Sequence, residues 1–126
     1  MEQLCAILAC IILAGLTAFQ VALVAGAPWG RLAWGGQHEV LPRKLKIGST
    51  TSIVLYVLFG YTALAKADLV PVLISDSFTS VSMWVLTAYF AVGVAMNGIS
   101  RSKPERFVMT PVALVLAVLY LLLSLG

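Results

Sequence analysis

Residues 3–30, QLCAILACIILAGLTAFQVALVAGAPWG, contain no charged side chain. The run is longer than the roughly 20 apolar residues that carry a helix across a hydrocarbon core about 30 Å thick. Three further uncharged runs follow at residues 47–65, 77–100 and 107–126. Lipid offers the backbone no water, so only helices or closed barrels can cross it. These runs are continuous rather than alternating, which selects helices over barrel strands. Apolar residues make up 61% of the 126-residue chain and charged residues 10%, where a soluble domain carries about 25% charged. The connections are too short to enclose a soluble core. The sequence therefore predicts an all-α transmembrane four-helix bundle. It forms a single domain over residues 1–126, with helices at about 3–26, 45–66, 77–100 and 104–125.

The net charge of +3 does not indicate nucleic-acid binding, because the basic residues sit beside the spans. The first loop holds Arg31, Arg43, Lys44 and Lys46; the second holds Lys66; the third holds Arg101, Lys103 and Arg106. By the excess of Lys and Arg on the cytoplasmic side, the loops at 27–46 and 101–106 are cytoplasmic and both termini lie outside. Ala25-Gly26-Ala27 imitates a signal-peptide cleavage site. The long apolar run, the Glu2 at its start and the Pro28 after the site favour an uncleaved helix.

Two segments echo each other. Leu16-Thr17-Ala18-Phe19 matches Leu86-Thr87-Ala88-Tyr89, and at the same offset Val24-Ala25 matches Val94-Ala95 and Arg31 matches Arg101. A proline follows each arginine, Pro42 or Pro104. This pattern predicts two similar helical hairpins related as a parallel repeat, with a pseudo-two-fold along the membrane normal. The repeat halves fall at about 1–66 and 77–126.

The first span places small residues at every fourth position: Ala6, Cys10, Ala14, Ala18, Ala22 and Gly26. Small residues let helices approach closely in lipid, so this row reads as a packing seam, with Thr87, Ala91 and Ala95 as a shorter version on helix three. The simplest arrangement packs helices one and three together at the pseudo-axis. Cys5 and Cys10 point in different directions on one helix and behave as small apolar residues.

Few polar residues enter the spans. Gln20 and Asn97 each belong against protein or a cavity, as interhelical contacts or along a solute path. Ser49, Thr50, Thr51 and Ser52 can bond to carbonyls of the preceding turn. Tyr56, Phe59 and Tyr61 line a groove or face lipid. Asp76 or Ser77 suits the N-cap of helix three. No span carries Asp, Glu, Lys or Arg near its centre, unlike proton-coupled carriers that use an intramembrane carboxylate.

The most distinctive segment is residues 28–42, PWGRLAWGGQHEVLP. Trp29 and Trp34 suit a membrane interface. Gly35-Gly36 permits backbone shapes closed to other residues. His38 is the single histidine; with no further ligands beside it, no metal site and no catalytic constellation is expected. The candidate solute or lipid contacts are thus Gln20, Trp29, Arg31, Trp34, His38, Asn97 and Arg101. The packing candidates are Ala14, Ala18, Ala22, Gly26, Ala91 and Ala95.

Residues 28–36 and Pro42, with Asn97-Gly98-Ile99-Ser100-Arg101-Ser102-Lys103-Pro104-Glu105-Arg106 and Thr110-Pro111, resemble small four-helix bacterial integral membrane proteins of unassigned activity. The resemblance covers nearly the whole chain. It implies a bacterial inner membrane and four helices, and it implies no substrate, cofactor or catalytic residue.

Four short helices enclose little space, so the partners expected are the lipid bilayer and either further copies of the chain or a larger membrane complex, with no nucleic acid. The function expected is that of an accessory or assembly subunit acting through helix packing. The alternative is an oligomeric small-solute transporter or channel without an intramembrane carboxylate. No enzymatic activity, cofactor or metal is expected.

Overall fold

The computed structural model describes residues 2–126, apart from the side chain of Arg31. Four long helices, α1 (Glu2–Val24), α2 (Arg43–Lys66), α3 (Asp76–Gly98) and α4 (Lys103–Leu125), are joined by short connections. Each is long and apolar enough to cross a membrane. The chain is a multi-pass membrane protein of the all-helical class. The helices run up, down, up and down, and the packed neighbours are α1–α2, α2–α3, α3–α4 and α4–α1.

That ring corrects the expectation that helices one and three meet at the centre. They lie on a diagonal, and α1 packs instead on α2 and α4. Helical geometry gives the reason. Each four-residue step advances about 400° around the axis, so a row of small residues drifts about 40° per step. From Ala6 to Gly26 the row turns roughly half-way round the helix. The face that α1 buries follows the helical period instead, through Cys5, Ala6, Ala9, Leu13, Gln20 and Leu23. Ala14 and Ala18 face outward, Ala22 is half-buried, and Ala91 and Ala95 on α3 are exposed.

Gly26 has a different task. It lies beyond α1 with φ +99°. The Ala27 amide donates to the Ala22 carbonyl at 2.9 Å, and the Gly26 amide donates to Leu23 at 3.2 Å. This is the glycine-terminated helix end in which a left-handed residue lets two late amides satisfy the last carbonyls. No atom approaches where its Cβ would stand, so packing does not require the glycine; the turn does. Residues 67–69 end α2 in the same way, with Asp68 at φ +61°.

At the start of α3, the Ser75 hydroxyl accepts from the Phe78 amide at 3.0 Å. The N-cap is therefore one residue earlier than Asp76. A serine at this point satisfies one of the amides that the first helical turn leaves unpaired. Pro104 stands in the first turn of α4, where its missing N–H costs nothing.

The core is concentrated at one end of the bundle. Cys5, Ala6, Ala9 and Leu13 of α1 meet Phe59 and Ala63 of α2, Met83 to Phe90 of α3, and Leu116 to Leu123 of α4. Tyr120 is fully buried, and its hydroxyl donates to the Phe59 carbonyl at 2.7 Å across the α2–α4 diagonal. Phe90 stacks against Tyr120 with ring centres 4.8 Å apart, and Phe59 and Tyr89 extend the cluster. These rings form a floor across the middle of the bundle.

Candidate functional site

Above that floor, toward the loops at 27–42 and 99–102, the two hairpins separate around a cleft of about 780 Å³. This lies within the size range of small-molecule sites, roughly 300–1,000 Å³. Its lower wall is apolar and aromatic, with Leu16, Phe19, Tyr56, Tyr89, Phe90 and Leu116. Its mouth is polar, with Gln20, Asn97, Ser100, Arg101 and Glu105. Along α4 the lining runs from Glu105 to Leu116, about 16 Å at 1.5 Å per residue. That depth is about one leaflet of a hydrocarbon core roughly 30 Å thick.

The first loop folds inward to roof one side. Gly30–Leu32 and Trp34–Gly36 form two single 3-10 turns that pack on α4. The Gly30 amide donates to the Glu39 carbonyl at 2.8 Å, closing the loop. A Cβ on Gly30 would collide with the backbone at His38, so this close approach requires glycine. Trp34, Gly35 and Gly36 all have positive φ, at 53°, 76° and 73°. This left-handed run turns the indole back onto α2. Its ring lies where a Cβ on Gly48 would stand, 2.8 Å from that position. Its Nε1 donates to the Ser49 hydroxyl at 3.1 Å. Ser49 therefore holds the indole, while Thr50, Thr51 and Ser52 bond to the carbonyls four residues earlier.

Two buried acceptors distinguish the lining. Gln20 is 7% exposed, and its side-chain carbonyl oxygen has no hydrogen-bond partner. An orphaned buried acceptor costs on the order of 1–3 kcal/mol. Glu105 is 8% exposed, and one of its oxygens accepts from the Ser100 hydroxyl at 2.8 Å. It stands in the first turn of α4, where the helix dipole favours a negative charge. The neighbouring Arg106 is directed elsewhere. It reaches the Ser100 carbonyl at 3.5 Å, and its guanidinium lies 5.1 Å from the Phe107 ring centre.

Of the candidate contacts, Gln20, Trp34, Asn97 and Arg101 come together on this cleft. Trp29 and His38 are exposed and lie outside its lining. The Arg31 side chain lies outside the described residues. Glu105, Tyr56 and Tyr89 also line the cleft; sequence reasoning had left Tyr56 open between groove and lipid and had given Glu105 and Tyr89 no place in a site. A serine three residues before Glu105, at Ser102, is the signature of a helix start. That pattern was the available sign that Glu105 belongs to a helix end rather than to open solvent. No group of three or more His, Cys, Asp or Glu suited to a metal occurs among the described residues. No protein-family model, curated protein or solved structure matches this chain.

Proposed function

We propose that this protein binds a small amphipathic molecule within the membrane, in the cleft between its two hairpins. The observation that carries this reading is the unpartnered Gln20 carbonyl, nine-tenths buried on the lining of a cavity of about 780 Å³. An empty structural gap has no use for an isolated acceptor, whereas a ligand donor there removes its cost. The aromatic floor suits an apolar tail and the polar mouth suits a head group. This is the small-solute reading, with one amendment. The carboxylate available to it, Glu105, enters from the end of α4 rather than from the centre of a span.

The setting proposed is the bacterial inner membrane that the resemblance implies, with the cleft opening toward the cytoplasm, an orientation supported by the distribution of Lys and Arg among the loops. A cysteine replacing Gln37 is then labelled only after the membrane is breached, and one replacing Ser75 is labelled from outside. The parallel repeat belongs to the same proposal. What supports it is the sequence match of residues 16–19 with 86–89 and of Arg31 with Arg101. A second reading, an accessory or self-associating subunit, is favoured by the outward position of Ala14, Ala18, Ala91 and Ala95.

The test is purification in mild detergent followed by native mass spectrometry. A retained amphiphile that is lost in Gln20→Leu supports binding in the cleft. Retention unchanged by Gln20→Leu and by Tyr89→Ala would remove it.

A further inference from the structure

Two buried side chains on the lining of the cleft each carry an acceptor oxygen. Gln20 presents a carbonyl oxygen with no partner, and Glu105 presents a carboxylate whose one hydrogen-bond donor among the described residues is the Ser100 hydroxyl. A buried carboxylate ordinarily sits with a cation. No basic side chain among the described residues lies within ion-pair distance of Glu105, and Arg106 is committed to the Ser100 carbonyl and the Phe107 ring. Among the described residues, then, Glu105 has no cationic partner. The walls suit one: Phe19, Trp34, Tyr56, Tyr89 and Phe90 line the same space. Aromatic faces attract organic cations, most strongly where water is excluded.

Resting on the binding reading above, we infer that the cleft recognises an ammonium group carried on an apolar body, with Glu105 and the Gln20 carbonyl as acceptors and the aromatic rings as walls. The shared chemistry has two sources, a free amphipathic amine or the aminoethyl head of a phospholipid. Arg101, exposed at the mouth, separates them. A phospholipid also brings a phosphate, which an arginine grips well, and a free amine does not.

The experiment titrates the purified protein in maltoside detergent with decylamine, decyltrimethylammonium, decanol and decanoate at equal mole fractions. Binding is read from the fluorescence of Trp34 in a Trp29→Phe, Trp84→Phe background and from native mass. Both ammonium compounds are expected to bind at least tenfold more tightly than decanol, with decanoate weakest. Glu105→Gln should abolish this preference while decanol still binds, and Gln20→Leu should reduce it severalfold. The comparison of the four compounds on the wild-type protein needs no variant, so a misfolded Glu105→Gln leaves the test intact. Equal binding of decylamine and decanol overturns the ammonium inference and leaves the binding reading standing. No binding of any of the four overturns both. In a second arm the protein is offered phosphatidylethanolamine, phosphatidylcholine and phosphatidylglycerol. Retention of phosphatidylethanolamine that Arg101→Ala weakens identifies the lipid source. Decylamine binding unchanged by Arg101→Ala, with no phosphatidylethanolamine retained, identifies the free amine. A preference for phosphatidylglycerol over both ammonium lipids overturns the inference.

Discussion

The two ends of this bundle are built from the same four helices and differ in how far apart those helices stand. At the end that holds the 67–75 connection, α1 presents Cys5, Ala6 and Ala9, and α2 presents Ala63. Short side chains let backbones close, and Leu123 and Met83 fill what remains with no exposure. The Lys66 ammonium reaches the Gly126 carbonyl at 3.0 Å, tying α2 to the end of α4. At the other end the lining mixes large and polar residues with small ones such as Gly93 and Ala113, and none fills the space between the hairpins. In lipid no water drives helices together, so association depends on contact and hydrogen bonding. The closed end has both. The open end instead leaves the Gln20 carbonyl without a partner.

The widest separation between the ends should come from truncating large side chains. Tyr120→Ala removes a fully buried ring and the hydroxyl bonded to Phe59; we expect a loss of about 3–5 kcal/mol in unfolding from detergent. Phe19→Ala and Met109→Ala enlarge a cleft that is already there, and should cost about 1 kcal/mol or less. Equal losses at both ends would mean that the open end is packed as tightly as the closed one.

Enlarging small residues gives the next contrast. Ala9 has no exposed surface, so Ala9→Leu should force α1 away from its neighbours at about 1–3 kcal/mol. Ala14→Leu and Ala18→Leu, on the outward face, should leave the folded chain at wild-type stability. If copies associate through that face, the same two substitutions shift the mass in detergent toward the single chain. A mass and stability both unchanged would identify the face as lipid-contacting.

Charge and proline made the spans and connections legible in the sequence. Pro28, Pro42 and the basic clusters mark the connections, and each observed helix end lies within a residue or two of its expected position. Gln20 and Asn97 were legible because a polar residue in an apolar run needs a partner or a cavity. The α1–α4 neighbourhood was not legible. Small residues repeat every fourth position, and the eye joins them into a line that the 3.6-residue period bends away. Glu105 was hidden for a related reason: among Arg101, Lys103 and Arg106 it reads as part of a solvated turn. Only the fold shows its carboxylate turned inward with Ser100 and its basic neighbour Arg106 bonded elsewhere.

A third substitution probes the roof of the open end. In Gly48→Ala the new methyl group stands 2.8 Å from the Trp34 ring, too close for van der Waals contact. The indole must move and its bond to Ser49 at 3.1 Å must lengthen or break. We expect a cost of about 1–2 kcal/mol and a shift of Trp34 emission toward that of a wetter indole. Gly93→Ala, with no atom within 4 Å of the added carbon, is the matched control. An unshifted spectrum in Gly48→Ala would show that the loop adjusts freely and that the left-handed run at Trp34–Gly36 does not fix the indole.

The smallest expected effect compares the same turn at opposite ends. The α1 terminus uses Gly26 at φ +99°, and the α2 terminus places Asp68 at φ +61°. A left-handed conformation costs most side chains about 1–2 kcal/mol, and aspartate somewhat less. Asp68 also sets a negative charge beside the carbonyl end of α2, where the helix dipole already concentrates negative potential. Asp68→Gly relieves both, and the hydrogen bonds from residues 68 and 69 back to Ala65 and Leu64 at 3.1 and 2.9 Å are backbone bonds that survive it. We expect a gain of up to about 1 kcal/mol, seen as a higher unfolding midpoint in detergent. Gly26→Asp should lose a comparable amount at the other end, since it introduces the same two penalties. If Asp68→Gly instead destabilises the chain, the Asp68 carboxylate makes a favourable contribution at the closed end that outweighs its conformational cost. The two termini would then be alike in backbone only.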